Sequence, residues 1–220
     1  LLKTAHSVKN FVSLYISIEL RQKYAFFGVL VQMFTSVFLI YLTIAKMNLP
    51  VWNALFWLMV LFNTFNTIAK GFLQESEGKM LYYHTICKPE VLILSKIIFN
   101  TLLSLALLIG FGLVYALVLG FRVQLPLPYL LIAVLFTIGL SGIFTMVSAM
   151  ASGAGNNYLL IPVLGLPLIL PLLLITVKSA KNAMDGILTN QFMLDTAAIA
   201  LVDVMVIYLA VILYKFLWKG

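Results

Sequence analysis

Six apolar segments, each long enough to cross a bilayer, take up most of this 220-residue chain: roughly 26–45, 51–69, 91–119, 127–151, 158–177 and 197–217. A helix of about 20 mostly apolar residues spans a hydrocarbon core of about 30 Å. Backbone N–H and C=O groups find no partner in lipid, so such segments are predicted to be helical. The chain is therefore expected to be an all-α, polytopic membrane protein with six transmembrane helices in one domain covering 1–220. Soluble enzymes and nucleic-acid binders are excluded, and function has to be read from the few polar places.

Charge gives the expected orientation. Only 10% of residues are charged and 63% are hydrophobic, for a mean hydropathy of +1.11. The net charge of +7 does not form one basic patch that would suit nucleic acid. Lys3, Lys9, Arg21 and Lys23 precede the first span, Lys70, Lys79, Lys88 and Lys96 surround the second-to-third connection, and Lys215 and Lys219 close the chain. The other side has Lys46, Arg122, Lys178 and Lys181. Ten against four, by the positive-inside rule, puts both termini in the cytoplasm. The chain starts at Leu1 and not Met, which predicts a few preceding residues, and its first 24 residues lack the short apolar core of a secretory signal. Cys87 is the only cysteine, so no intrachain disulfide and no cysteine-based metal site can form.

Before the first span, Val8, Phe11, Val12, Tyr15 and Ile18 recur at helical spacing, with Lys9, Asn10, Ser13, Ser17 and Arg21 elsewhere on the wheel. This predicts an amphipathic helix over about 5–24, lying in the membrane interface. The longest cytoplasmic connection, 70–90, places Glu75, Glu77, Lys79, His84 and Lys88 among Met80, Leu81, Tyr83 and Ile86, ahead of Pro89. Polar residues outside and apolar ones at helical spacing suit a surface that docks on a partner or lies on lipid headgroups. The outer connection, 178–195, has room for a short amphipathic segment.

Within the spans, polar residues are few. Asn63, Asn66, Thr67 and Lys70 share one helical stripe, with Thr64 beside it, as a seam between helices or part of a solute route. Lys96 is expected to snorkel to the interface, and Gly110 and Gly112 to permit a bend in a long third span. Thr137, Ser141, Thr145, Ser148 and Ser152 put small hydroxyls on one face of the fourth, the pattern of close helix packing. Pro162, Pro167 and Pro171 predict a kinked or broken fifth helix, a candidate hinge. Asp203 is the only acidic residue well inside a span; it marks either a solute path or, more plainly, a hydrogen bond to a neighbouring helix.

Catalysis in this chain is not expected. Gly71 to Gly78-Lys79 imitates a phosphate-binding loop, but six residues separate the glycines where four are needed, and Met80 stands where Ser or Thr would hold magnesium. His6 and His84 lie outside the spans, there is no CxxCH haem-attachment site, and no nucleophile–base pair or metal-ligand cluster is visible.

Two stretches carry a family resemblance. Glu77-Gly78, Leu81, Pro89 and Ser95-Lys96 lead into the third span, and LLIPVLGLPLILPLLLIT over 159–176 holds Leu166-Pro167-Leu168 and Pro171-Leu172-Leu173. With the six spans and the interfacial helix, these resemble the CcmB family, the permease of the cytochrome c maturation ABC transporter, described as a haem exporter subunit. The resemblance implies an ABC exporter permease fold in a bacterial inner membrane. It also implies a separate CcmA-like ATPase, a second permease copy, haem-handling membrane subunits and a periplasmic haem chaperone. ATP would act only through the partner, and haem would be a handled ligand, either exported or released with its chaperone. Glu75, Glu77, Gly78, Lys79 and Tyr82 become the ATPase-coupling surface. The alternatives are an ABC permease for a lipid, glycan or drug, and a stand-alone carrier or channel, for which only Asp203 offers a coupling group.

Overall fold

The protein is described by a computed structural model covering residues 2–21, 23–44, 47–73, 87–153, 159–187 and 190–217. Its seven described helices are α1 (Leu2–Arg21), α2 (Lys23–Thr43), α3 (Leu49–Leu73), α4 (Pro89–Leu119), α5 (Pro126–Gly153), α6 (Leu160–Met184) and α7 (Asn190–Leu217). Five of them, α3 to α7, are long and apolar enough to cross a membrane. The expected first span corresponds to α2, whose described apolar stretch, Phe27–Thr43, is shorter than the others. By length and composition, then, five of the described helices could cross a membrane.

The fold is built around α5. This helix has no charged residue, and 72% of its most apolar stretch is buried, against 44% or less for the other four. It packs against α3, α4, α6 and α7, while α2 contacts α4 and, more lightly, α1 and α3. Most of its hydroxyls bond within the helix: Thr137 Oγ1 donates to the Ala133 carbonyl at 2.8 Å and Ser152 Oγ to Ala149 at 2.9 Å, while the buried Ser148 hydroxyl has no partner among the described residues. Thr137, Ser141, Thr145 and Ser148 are all fully buried, so the predicted hydroxyl face is a packing face.

Four local expectations change. First, α6 does not break. It runs continuously through Pro167 and Pro171, and Pro162 sits in its first turn, where a missing N–H removes no helical bond. Second, α6 continues past 177 to Met184 because Ser179, Ala180, Ala183 and Met184 still bury their side chains. It ends where Gly186 adopts φ +75°, which lets Ile187 N–H donate to the Asn182 carbonyl at 2.9 Å. Third, α7 starts at Asn190, so the outer connection is a short link with no room for an amphipathic segment. Fourth, Lys96 does not snorkel to water: it is 4% exposed, with its ammonium 5.8 Å from the centre of the Tyr15 ring.

Tyr15 is the anchor of α1. It is buried, and its ring meets Phe99 of α4 with centres 5.6 Å apart. Beside it, Ile16 and Glu19 face Phe99, Leu102 and Leu103 across a crevice of about 170 Å³. Leu14 and Ile18 remain exposed, so α1 has apolar side chains outside as well as inside.

Candidate functional site

Besides Lys96 beneath Tyr15, three places inside the bundle gather polar or ionisable groups that matter for function. At the end where α3 begins, Asn53 joins three helices. Its Oδ1 accepts from Trp57 Nε1 at 2.8 Å and from the Tyr129 hydroxyl of α5 at 3.2 Å, and its Nδ2 donates to the Val177 carbonyl of α6 at 3.4 Å. Around it Trp52, Phe56, Trp57, Tyr115 and Tyr129 pack ring against ring, with centres 5.0–6.2 Å apart. Tyr115 donates its hydroxyl to the Trp52 carbonyl at 2.8 Å, and Arg122 reaches the Met47 carbonyl from the loop after α4. Dense and tied by these hydrogen bonds, with only Trp52 Nε1 lacking a partner among the described residues of the cluster, this group acts as a clamp between the helices. Sequence reasoning passed over it, since Asn53 stands outside the Asn63 stripe and the aromatics come from three separate segments.

The second place is a seam where α4 meets α3 and α5. Asn100 Nδ2 donates to Thr145 Oγ1 at 2.9 Å, and the Thr101 and Ser141 hydroxyls bond to each other. One side of the seam opens on a cavity of about 10 Å³ lined by Val60, Asn63, Thr64, Ser104 and Leu107 among others. Asn63 Nδ2 and Ser104 Oγ are both buried there without a hydrogen-bond partner among the described residues. This is the size and polarity that holds a single water. Of the predicted stripe, Asn63 is buried, Asn66 is half-buried, and the side chain of Lys70 lies outside the described set. A space for one water is too narrow to serve as a solute route.

The third place is Asp203, midway along α7 and 4% exposed. The expected hydrogen bond to a neighbouring helix is not made: neither carboxylate oxygen has a partner among the described residues. It lies against Gly139 of α5, where an added Cβ would collide with Asp203 Oδ1 and come within 2.8 Å of Leu172 Cδ2. Residues 139 and 141 point to nearly opposite sides of a helix, two steps of about 100° apart. Asp203 and the Asn63 seam are thus separated by the thickness of α5, and Asn63, Asn66 and Asp203 do not form one site.

Of the remaining candidates, Pro162, Pro167 and Pro171 all lie on α6, while Glu75, Glu77, Gly78, Lys79 and Tyr82 fall outside the described residues. The structure resumes at Cys87, whose thiol is pushed up from its ordinary pKa by burial, and enters α4 at Pro89. Close by, Glu90 pairs with Lys215 of α7 at 3.5 Å. At the opposite end Lys178 of α6 pairs with Asp195 of α7 at 3.4 Å, and Gln191 Nε2 donates to Asp195 Oδ1 at 3.0 Å. Among the described residues no three His, Cys, Asp or Glu side chains gather as metal ligands.

Comparison with protein-family models, with curated proteins and with solved structures finds no match for this chain.

Proposed function

We propose that this chain is the membrane permease subunit of an ATP-driven transporter, with the ATP-hydrolysing machinery in a separate partner. In this reading α2 is a sixth span, α1 lies at the cytoplasmic interface, both termini are cytoplasmic, and the 70–90 connection meets the ATPase. The observation that carries it is the seating of α1 on α4. Tyr15 covers Lys96 and packs its ring against Phe99, near the start of the helix that leaves that connection. A buried cation beneath an aromatic ring gives this joint chemical specificity. A push on either element then reaches α4, and the Glu90–Lys215 pair extends the same end of the bundle to α7.

Force travels inward by packing. α4 grips α5 through Asn100–Thr145 and Thr101–Ser141, and α5 packs on α6. In α6, Pro167 and Pro171 cannot donate to the carbonyls of Val163 and Pro167, so the helix is weakest there and bends there first. The Asn53 clamp holds the far end while the near end moves. ATP drives this cycle only through the differential affinity of the ATPase for its two states.

The more particular proposal is cytochrome c maturation in a bacterial inner membrane. It rests on the CcmB-like stretches 77–96 and 159–176, with a CcmA-like ATPase, a second permease copy and a periplasmic haem chaperone as partners. The test is co-expression with the ATPase encoded beside this chain, purification in detergent, and ATP hydrolysis with and without the chaperone. Co-elution with chaperone-responsive hydrolysis is the expected result, and Glu77→Lys should weaken co-elution. Co-elution without that response would point to another cargo, such as a lipid, glycan or drug. Failure to bind under conditions that preserve such complexes would refute the permease reading and favour a stand-alone carrier.

A further inference from the structure

The packing of α5 on α7 traps a carboxyl group where no described residue balances its charge. Gly139 makes room for Asp203, and three residues on, a Cβ at Gly142 would sit 3.2 Å from Val206 Cγ1. The two helices therefore approach closely along a glycine-lined stripe, with Asp203 aimed into it and 4% exposed. Its carboxyl and the Leu172 side chain together fill the space beside Gly139, and neither of its oxygens is hydrogen-bonded among the described residues.

The titratable groups on the surrounding helices are exposed or engaged elsewhere. α5 carries only Tyr129, which donates to Asn53. On α6, Lys178 pairs with Asp195 and Lys181 is exposed. On α4, Glu90 pairs with Lys215, Lys96 lies over Tyr15, and Tyr115 bonds to the Trp52 carbonyl. On α7 itself, Asp195 and Lys215 are in those pairs, Tyr208 is exposed, and Tyr214 belongs to the lower end near Lys215.

We propose that Asp203 is a proton-binding site, and that the close α5–α7 packing holds only while the proton is on it. The ligand is identified by elimination of charge and space. A metal cation needs several oxygen ligands, and this position offers one carboxyl group in an apolar setting. A proton needs only the carboxyl itself. Once the proton leaves, a bare carboxylate is dry and uncompensated against Gly139 and Leu172, which is among the costliest arrangements in a membrane interior. The helices then part enough to hydrate it. Proton binding is in this way coupled to the separation of α7 from the central helix, whether or not an ATPase also acts on the bundle.

The test uses the full chain in lipid nanodiscs, with its three aspartates ¹³C-labelled at the carboxyl, and infrared spectroscopy across pH. The expected result is an isotope-shifted C=O band of a dry neutral acid, lost as pH rises and missing in Asp203→Asn. Asp185 is exposed and Asp195 is paired with Lys178, so the band is assignable in the wild type even if the variant does not fold. In parallel, backbone amide exchange is followed in peptides from the middle of α5 and α7. Where the acid band has gone, exchange should be faster than below the transition, after correction for intrinsic rates, by on the order of a hundredfold. Folded Asp203→Asn should show no such step. An ionised Asp203 at every pH where the protein is folded would overturn the proposal. So would loss of the band with unchanged exchange in both helices.

Discussion

Replacing Asn53 with alanine tests how the bundle is held at its clamped end. Three hydrogen bonds are lost, but they do not count equally. The bond from Trp57 Nε1 is made within one turn of α3, so it persists in any state where α3 is still a helix in the membrane. Only the bonds that cross between helices, to Tyr129 at 3.2 Å and to the Val177 carbonyl at 3.4 Å, are made by assembly of the bundle. Such interhelical bonds average about 0.6 kcal/mol in membrane proteins and reach about 1.7. Removing the acceptor also strands the hydroxyl of Tyr129, a residue only 6% exposed. Together these give an expected loss of about 1.5 kcal/mol for Asn53→Ala, against about 0.6 for Tyr129→Phe. The double variant should cost less than the sum, because the two residues share one bond. The assay is equilibrium unfolding in mixed micelles, with the near-ultraviolet circular dichroism of the aromatic cluster as the signal. Strict additivity of the two changes would refute the hydrogen-bonded clamp, as would a loss under about 0.3 kcal/mol for Asn53→Ala.

Three further outcomes are expected. Gly139→Ala should destabilise by about 1–3 kcal/mol through overpacking, whereas Gly112→Ala, which meets nothing within 4 Å, should be neutral or gain up to about 1 kcal/mol; equal effects in the same unfolding assay would contradict the close α5–α7 approach. Burial raises the Glu19 carboxyl above its ordinary value of 4.5, so docked α1 holds its proton more tightly than free α1 does. Docking is then fully favoured below the ordinary value and weakens as pH rises through the raised one, a dependence that proteolysis of α1 against pH should reveal and Glu19→Gln should abolish. Replacing Pro167 and Pro171 together with alanine restores two helical N–H donors and should lower transport-linked ATP hydrolysis while leaving assembly intact; full activity in that variant would remove α6 from the mechanism.

The helical class of this protein was legible because it follows from solvent alone. Long apolar runs must satisfy their own backbone, and that requirement is local. The hydroxyl stripe on α5 was legible for a related reason: a spacing of three and four fixes which residues share a face, whatever they face. Boundaries were less legible where burial continued past the apolar run. Helix α6 carries Lys178, Ser179, Lys181 and Asn182, which read as a loop, yet Ser179, Ala180, Ala183 and Met184 are buried by neighbours that the sequence does not announce.

Partnership between distant residues belonged to the tertiary structure. Lys96 looked like a snorkelling cation because its position on α4 is near a membrane boundary; only the docking of α1 shows that Tyr15 covers it. Asn53 drew no attention in the sequence, since its importance comes from Tyr129 and Val177, each more than seventy residues away. Asp203 stood out as a lone acid, and a hydrogen bond was its simplest explanation. That it faces a glycine instead, with no donor among the described residues, depends on the register of α7 against α5, which periodicity within either helix leaves undetermined. The sequence by itself determined which segments are long apolar helices and which of their faces are polar, because water and lipid act on each segment separately. The tertiary structure alone decided which face meets which, because that depends on the shapes of two surfaces brought together.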